Sequence, residues 1–110
     1  MSRHARQREQ VAADALAALG NRTRLRVFKL LVRAGPQGTN IGTIQRALGI
    51  PATTLGHHLG TLTAAGLVSQ DRRGREVICT ANYRAVADVL AYVREECCAG
   101  VSLDQDTEAA

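Results

Sequence analysis

Aromatic side chains are nearly missing from this 110-residue chain: Phe28, Tyr83 and Tyr92 are its only Phe, Tyr or Trp residues. So thin a supply argues against a stacking platform for single-stranded nucleic acid or RNA. No apolar run approaches the ~20 residues a bilayer span needs, so no membrane partner is expected. The opening MSRHARQREQ is charged and lacks an apolar core, so no secretory signal is expected. Cysteine is confined to Cys79, Cys97 and Cys98. An odd count of three is too small for a disulfide framework, and a reducing cytoplasmic setting is expected. There is no CxxC, no glycine-rich phosphate loop, and no Ser or Cys beside a placed base, so no enzyme is expected.

What is present is ordinary in amount and uneven in placement. At 45% hydrophobic and 22% charged, the composition is that of one globular domain. The net charge of +4 conceals an asymmetry, because residues 95–110 carry five acids (Glu95, Glu96, Asp104, Asp106, Glu108) and no base. The first 94 residues therefore hold 14 bases, all but Lys29 arginine, against five acids. A small domain with that surplus suits a polyanion, nucleic acid above all. The same arginines would also serve as a merely solvated surface.

Glycine and proline divide the chain into short elements. A flexible basic arm is expected over residues 1–10, a folded domain over 11–100 and a disordered acidic tail over 101–110. Val11, Ala15, Ala18 and Leu19 recur at helical spacing and stop at Gly20. Asn21 is placed to cap a second helix with Leu25, Phe28, Leu31 and Val32 as its buried stripe. Thr39 or Asn40 caps a third, with Ile41, Ile44 and Leu48 on one face and Gly49 at its end. Pro51 suits the first turn of a fourth, and Gly66 its termination.

The period then shifts. Leu67–Gln70 and Glu76–Thr80 read as strands around a tip, Asp71-Arg72-Arg73-Gly74-Arg75. A last helix is expected from about Tyr83 to Cys98 with Gly100 as its C-cap. The order is helix, helix, helix, helix, strand, strand, helix, mainly α with a β-hairpin wing, and this is the winged helix-turn-helix arrangement. Tyr83, Val86, Leu90, Val93 and Cys97 form a narrow seam on the last helix. Beside an Ala-rich first helix, that seam points to a homodimer joined through the first and last helices.

The stretch IPATTLGHHLGTLTAAGLV, residues 50–68, is the most informative. At about 100° per residue, Leu55, Leu59 and Leu62 point one way, and Thr53, His57 and Gly60 the other. Thr54 and Thr61 flank that outward row on one side and Gly56 on the other. Each glycine costs a helix ~1 kcal/mol against alanine, so the pair makes sense where a backbone must approach closely. Hydroxyl and imidazole groups near the helix start are what a helix-turn-helix protein pushes into the major groove. The candidate DNA contacts are Thr53, Thr54, Gly56, His57 and Thr61, with Arg72, Arg73 and Arg75 on the flanking backbone or minor groove. His58 sits beside the apolar stripe and reads as a partly buried, hydrogen-bonded packing residue. A winged-helix interaction module that never touches DNA would show an acidic or apolar outer face there instead.

Two runs, Ala18-Leu19-Gly20-Asn21-Arg22-Thr23-Arg24-Leu25-Arg26 and Thr54 to Leu62 followed by Ala65-Gly66-Leu67-Val68, resemble the ArsR/SmtB family of dimeric bacterial winged-helix repressors. The likeness covers roughly residues 15–100. It implies a homodimer that blocks transcription at an inverted-repeat operator and releases double-stranded DNA when an inducer binds. Three site types common in that family have no ligands here: a cysteine pair near Gly38–Thr43, a zinc set on the last helix, and a second-helix cysteine. What remains, Cys97-Cys98, looks like the vicinal pair of the arsenite-responsive subgroup, without that subgroup's further cysteine. Paired thiolates favour soft ions, so arsenite or antimonite is the expected inducer. Cys79 is a remote third ligand, reachable only from the other subunit, and otherwise structural. Thiol oxidation at the pair, or no inducer site at all, are the alternatives.

Overall fold

The computed structural model describes residues 2–101. Helix α1 (Arg3–Leu19) starts eight residues earlier than the apolar spacing suggests. Ser2 caps it, its hydroxyl accepting from Ala5 N, and the following Arg, Gln and Ala residues contain no breaker. The arm expected over residues 1–10 is therefore helical from Arg3. Its core side is Ala12, Ala15 and Ala18, whereas Val11 is 60% exposed.

Asn21 caps α2 (Arg22–Ala34) as expected, accepting from Arg24 N at 3.0 Å. The buried set is Val27, Phe28 and Leu31, and Leu25 stays 44% exposed, so the stripe is rotated from the expected one. A 3-10 turn, Gly35–Gln37, leads to β1 (Thr39–Asn40). Asn40 then caps α3 (Ile41–Leu48), accepting from Thr43 N at 2.8 Å. Pro51 stands at the N-cap of α4 (Ala52–Ala64), one place before its expected first-turn position.

The wing is larger than two short strands. β2 (Val68–Arg73) and β3 (Glu76–Ala81) pair antiparallel in full register, and β1 joins β3 to give the order β1-β3-β2. Arg73 lies opposite Glu76, which leaves Gly74-Arg75 as a two-residue turn with Gly74 at φ +65°. Positive φ at the first turn position is what lets so short a link follow the strand twist. Arg72 and Arg73 are therefore strand residues, and of the three arginines only Arg75 is at the tip.

Asn82 ties the wing to the last helix. Its side chain accepts from Ala85 N, capping α5 (Tyr83–Arg94), and donates to Gly66 O at 3.1 Å, where α4 has just ended. Helix α5 stops four residues short of the expected Cys98, and Gly100 is not its cap. The chain turns extended at Glu95, and Glu96 and Cys98 take positive φ. One core holds the fold together, with Val27, Phe28 and Leu31 of α2 meeting Ile44, Leu55, Leu59, Leu62, Leu67, Cys79 and Val89. The acidic tail, beyond Val101, lies outside the described residues.

Candidate nucleic-acid interface

Helix α4 has two faces set by its leucines. Leu55, Leu59 and Leu62 are fully buried, which fixes the rotation of the helix about its own axis. Burying three such side chains is worth about 5–8 kcal/mol, far more than any surface contact on the other side. Thr53, Thr54, Gly56, His57 and Gly60 are consequently all exposed, as the spacing requires. A Cβ added at Gly56 or Gly60 would meet nothing within 4 Å, so neither glycine is demanded by packing inside the chain.

Two members of the row differ from expectation. Thr61 is half-buried, and its hydroxyl donates to His57 O at 3.2 Å, leaving only its oxygen lone pairs to an outside donor. His58 is half-buried as expected, but its Nδ1 has no hydrogen-bond partner. Burial, then the nearby Arg24 charge, then His57, push the His58 imidazole below its ordinary pKa. An unpartnered ring nitrogen beside a guanidinium favours the neutral ring.

The wing arginines Arg72, Arg73 and Arg75 are exposed. Arg73 Nε pairs with Asp71 at 3.1 Å, and both side chains are well solvated, so a phosphate displaces that carboxylate at small cost. Arg72 and Arg75 form no ion pair among the described residues. Helix α4 and the wing thus present hydroxyls, an imidazole, bare backbone and guanidinium groups, and the outward row of α4 carries no acidic or large apolar side chain.

A second surface is apolar. Val11 of α1 and Tyr83, Leu90 (53% exposed) and Val93 (58% exposed) of α5 stand in solvent on the two helices that pack against each other. Between α1 and α5 runs a groove of 690 Å³ lined by Val11, Ala15, Ala85, Val89 and Tyr92 among others. Arg8 crosses from α1 to α5, its guanidinium 5.2 Å from the centre of the Tyr92 ring and paired with Glu95. Nothing in the local sequence pattern announces that tie, because the partners are 87 positions apart.

The cysteines separate into two environments. Cys97 and Cys98 are exposed just beyond the Glu95 tie, with their Sγ atoms 3.5 Å apart. The departure from helical geometry brings the sulfurs together where neighbouring helical side chains would diverge by about 100°. Cys79 is wholly buried in β3 among core side chains, and burial pushes its thiol up in pKa. It does not join the pair, and no three His, Cys or carboxylate groups converge on a metal position among the described residues.

Residues 19–71 match a family described as a helix-turn-helix domain. No curated protein matches the sequence. Among solved structures, an ArsR-like transcriptional regulator from Rhodococcus sp. RHA1 shares 25% identity over 92% of this chain and 90% of its own, with a TM-score of 0.70. NolR from Sinorhizobium fredii shares 25% identity over 86% and 92% of the two chains, at a TM-score of 0.66. A homodimeric winged helix-turn-helix DNA-binding domain from Mycobacterium bovis, a possible ArsR-family regulator, has the same fold at 23% identity, covering 88% and 90%, with a TM-score of 0.69. No helix among the described residues is long and apolar enough to cross a membrane.

Proposed function

We propose that this winged helix-turn-helix protein, a DNA-binding transcriptional regulator by its domain and not an enzyme, works as a homodimeric, ArsR-like repressor. The observation that carries the reading is the outer row of α4. Three buried leucines turn Thr53, Thr54 and His57 outward beside two glycines that internal packing does not need. Without Cβ atoms at positions 56 and 60, a base edge or phosphate reaches the helix backbone. The threonine hydroxyls and the His57 ring then address base edges in the major groove, while Arg72, Arg73 and Arg75 hold the flanking backbone.

Two such helices must stand one duplex turn apart, about 34 Å, to read an inverted repeat. The exposed apolar side chains of α1 and α5 supply a surface on which a second copy buries area, and hence fixes that spacing. The inducer we assign to the Cys97–Cys98 pair is a soft metalloid such as arsenite or antimonite. Both sulfurs are exposed and close together, and soft donors of this kind favour such ions. The pair follows Glu95, whose tie to Arg8 joins α5 to α1, so a ligand there acts on the helices of the dimer surface. The same 3.5 Å separation favours a second reading, oxidation of the pair.

The test begins with a duplex selected from a random library. Binding should weaken with salt at a log–log slope of about −0.9 per phosphate neutralised. The His57→Ala variant should relax preference at particular bases, whereas Arg72→Gln should weaken all sequences alike. Unchanged preference in His57→Ala removes α4 as the reader. Arsenite should release wild-type protein from DNA but not Cys97→Ser or Cys98→Ser, and equal release rejects the pair. Release by hydrogen peroxide and not by arsenite selects the oxidation reading.

A further inference from the structure

Helix α2 carries a row of cations that neither the α4 face nor the wing uses. Arg22, Arg26, Lys29 and Arg33 follow one another at intervals of four, three and four, so their side chains fall within an arc of about 60°. All four are exposed, and none forms an ion pair among the described residues. The row lies about 180° from Val27, Phe28 and Leu31, the side that α2 buries.

This arrangement works against the helix that bears it. Like charges at i,i+4 repel, and α2 contains no acid to relieve them. The helix dipole disfavours Arg22 in the first turn, where no acidic residue stands, and favours Arg33 in the last. A surface that only needed solubility would intersperse the two signs. A row kept against that mutual repulsion fits an external anion, and its length decides which kind. The eleven residue steps from Arg22 to Arg33 span about 16 Å, the distance over which one duplex strand passes about five phosphates. Three of the four side chains are arginine, whose fork matches a phosphate oxygen pair. A protein partner is the poorer fit, because interface centres exclude charge and hold apolar anchors. On α2 only Leu25, at the edge of the row, is a large exposed apolar side chain.

Helices α2 and α4 bury their apolar sides in the same core, so each outer row points away from that core on its own helix. We propose that the outer face of α2 binds the phosphate backbone of a second duplex segment while α4 holds the first. The proposal rests on α4 being the reading helix.

The experiment saturates a library-selected, immobilised duplex with full-length protein and then offers a labelled non-cognate duplex. Wild-type protein should capture the label. The triple variant R26Q/K29Q/R33Q, shown folded by circular dichroism, should hold the first duplex as wild type does and capture the second about tenfold less. Its capture step should also lose about 0.9 of salt slope per cation removed. Retention of the first duplex without capture by wild type, or equal capture by the variant, overturns the α2 assignment alone. Loss of the first duplex by wild type overturns the α4 reading, and this one with it. Preferential capture of polyglutamate over duplex would mean an acidic protein partner and also overturns the proposal.

Discussion

His57 and His58 stand side by side on α4 with ring centroids 6.0 Å apart and planes tilted by 56°, yet one faces solvent and the other is half-buried. A single residue step of about 100° carries the imidazole from the outward row to the edge of the leucine stripe. There His58 loses water at Nδ1 and gains Arg24 as a neighbour.

That environment predicts a pH dependence. The folded His58 pKa lies below its ordinary value of 6.5, chiefly through burial. Its stability contribution is therefore present above pH 6.5 and is lost as pH falls from there through the lowered folded value. Below pH 6.5 the unfolded chain takes up a proton that the folded chain resists. Between pH 7.5 and 5, melting temperature should fall further for wild type than for His58→Gln. Equal falls would show that the half-buried ring does not titrate against folding.

Gly56→Ala and Gly60→Ala should each raise the stability of α4 by about 1 kcal/mol, since nothing meets the added methyl. The same methyl stands on the face offered to DNA and should weaken operator binding. A melt and a titration on one sample check both halves. A stabilised variant that binds as well as wild type would mean no backbone approaches there.

Leu90→Glu and Val93→Glu change side chains that are more than half exposed, so folding stability should move by about 0.5 kcal/mol or less. Sedimentation should nevertheless show wild-type dimers converted to monomers, with operator affinity falling alongside. Dimers that persist in both variants would place the contact elsewhere than on α5.

Gly38→Ala tests the wing. Gly38 has φ +67°, and a Cβ there would sit 2.3 Å from Cys79 O and 2.7 Å from Thr80 Oγ1. Strain and displacement of β3 together should cost about 2–4 kcal/mol, read as a lowered melting temperature. A variant as stable as wild type would mean that β1 and β3 are not held this closely.

Features that depend on neighbours in the sequence were legible in it. Asn21 and Asn40 cap helices where capping side chains were expected, and Leu55, Leu59 and Leu62 are buried because their 3.6-residue period leaves one apolar side. The outward row of α4 follows from that same period. The choice of Val27 over Leu25 in α2 was not legible, because Leu25 neighbours Phe28 at i,i+3 and Val27 neighbours Leu31 at i,i+4, so either extends an apolar side. Packing against α1, α3, α4 and β3 made it.

The sequence by itself determined the order of the five helices and the two wing strands, the Asn21 and Asn40 caps and the polar character of the α4 face. Each of these is settled within a turn or two of backbone, by φ preference, hydrogen bonding or side-chain period. Only the tertiary structure decided that β1 closes onto β3, that Cys79 is sealed in the core, and that Arg8 reaches Glu95. These pairings join segments far apart along the chain, and no local preference encodes which distant surface an element will bury.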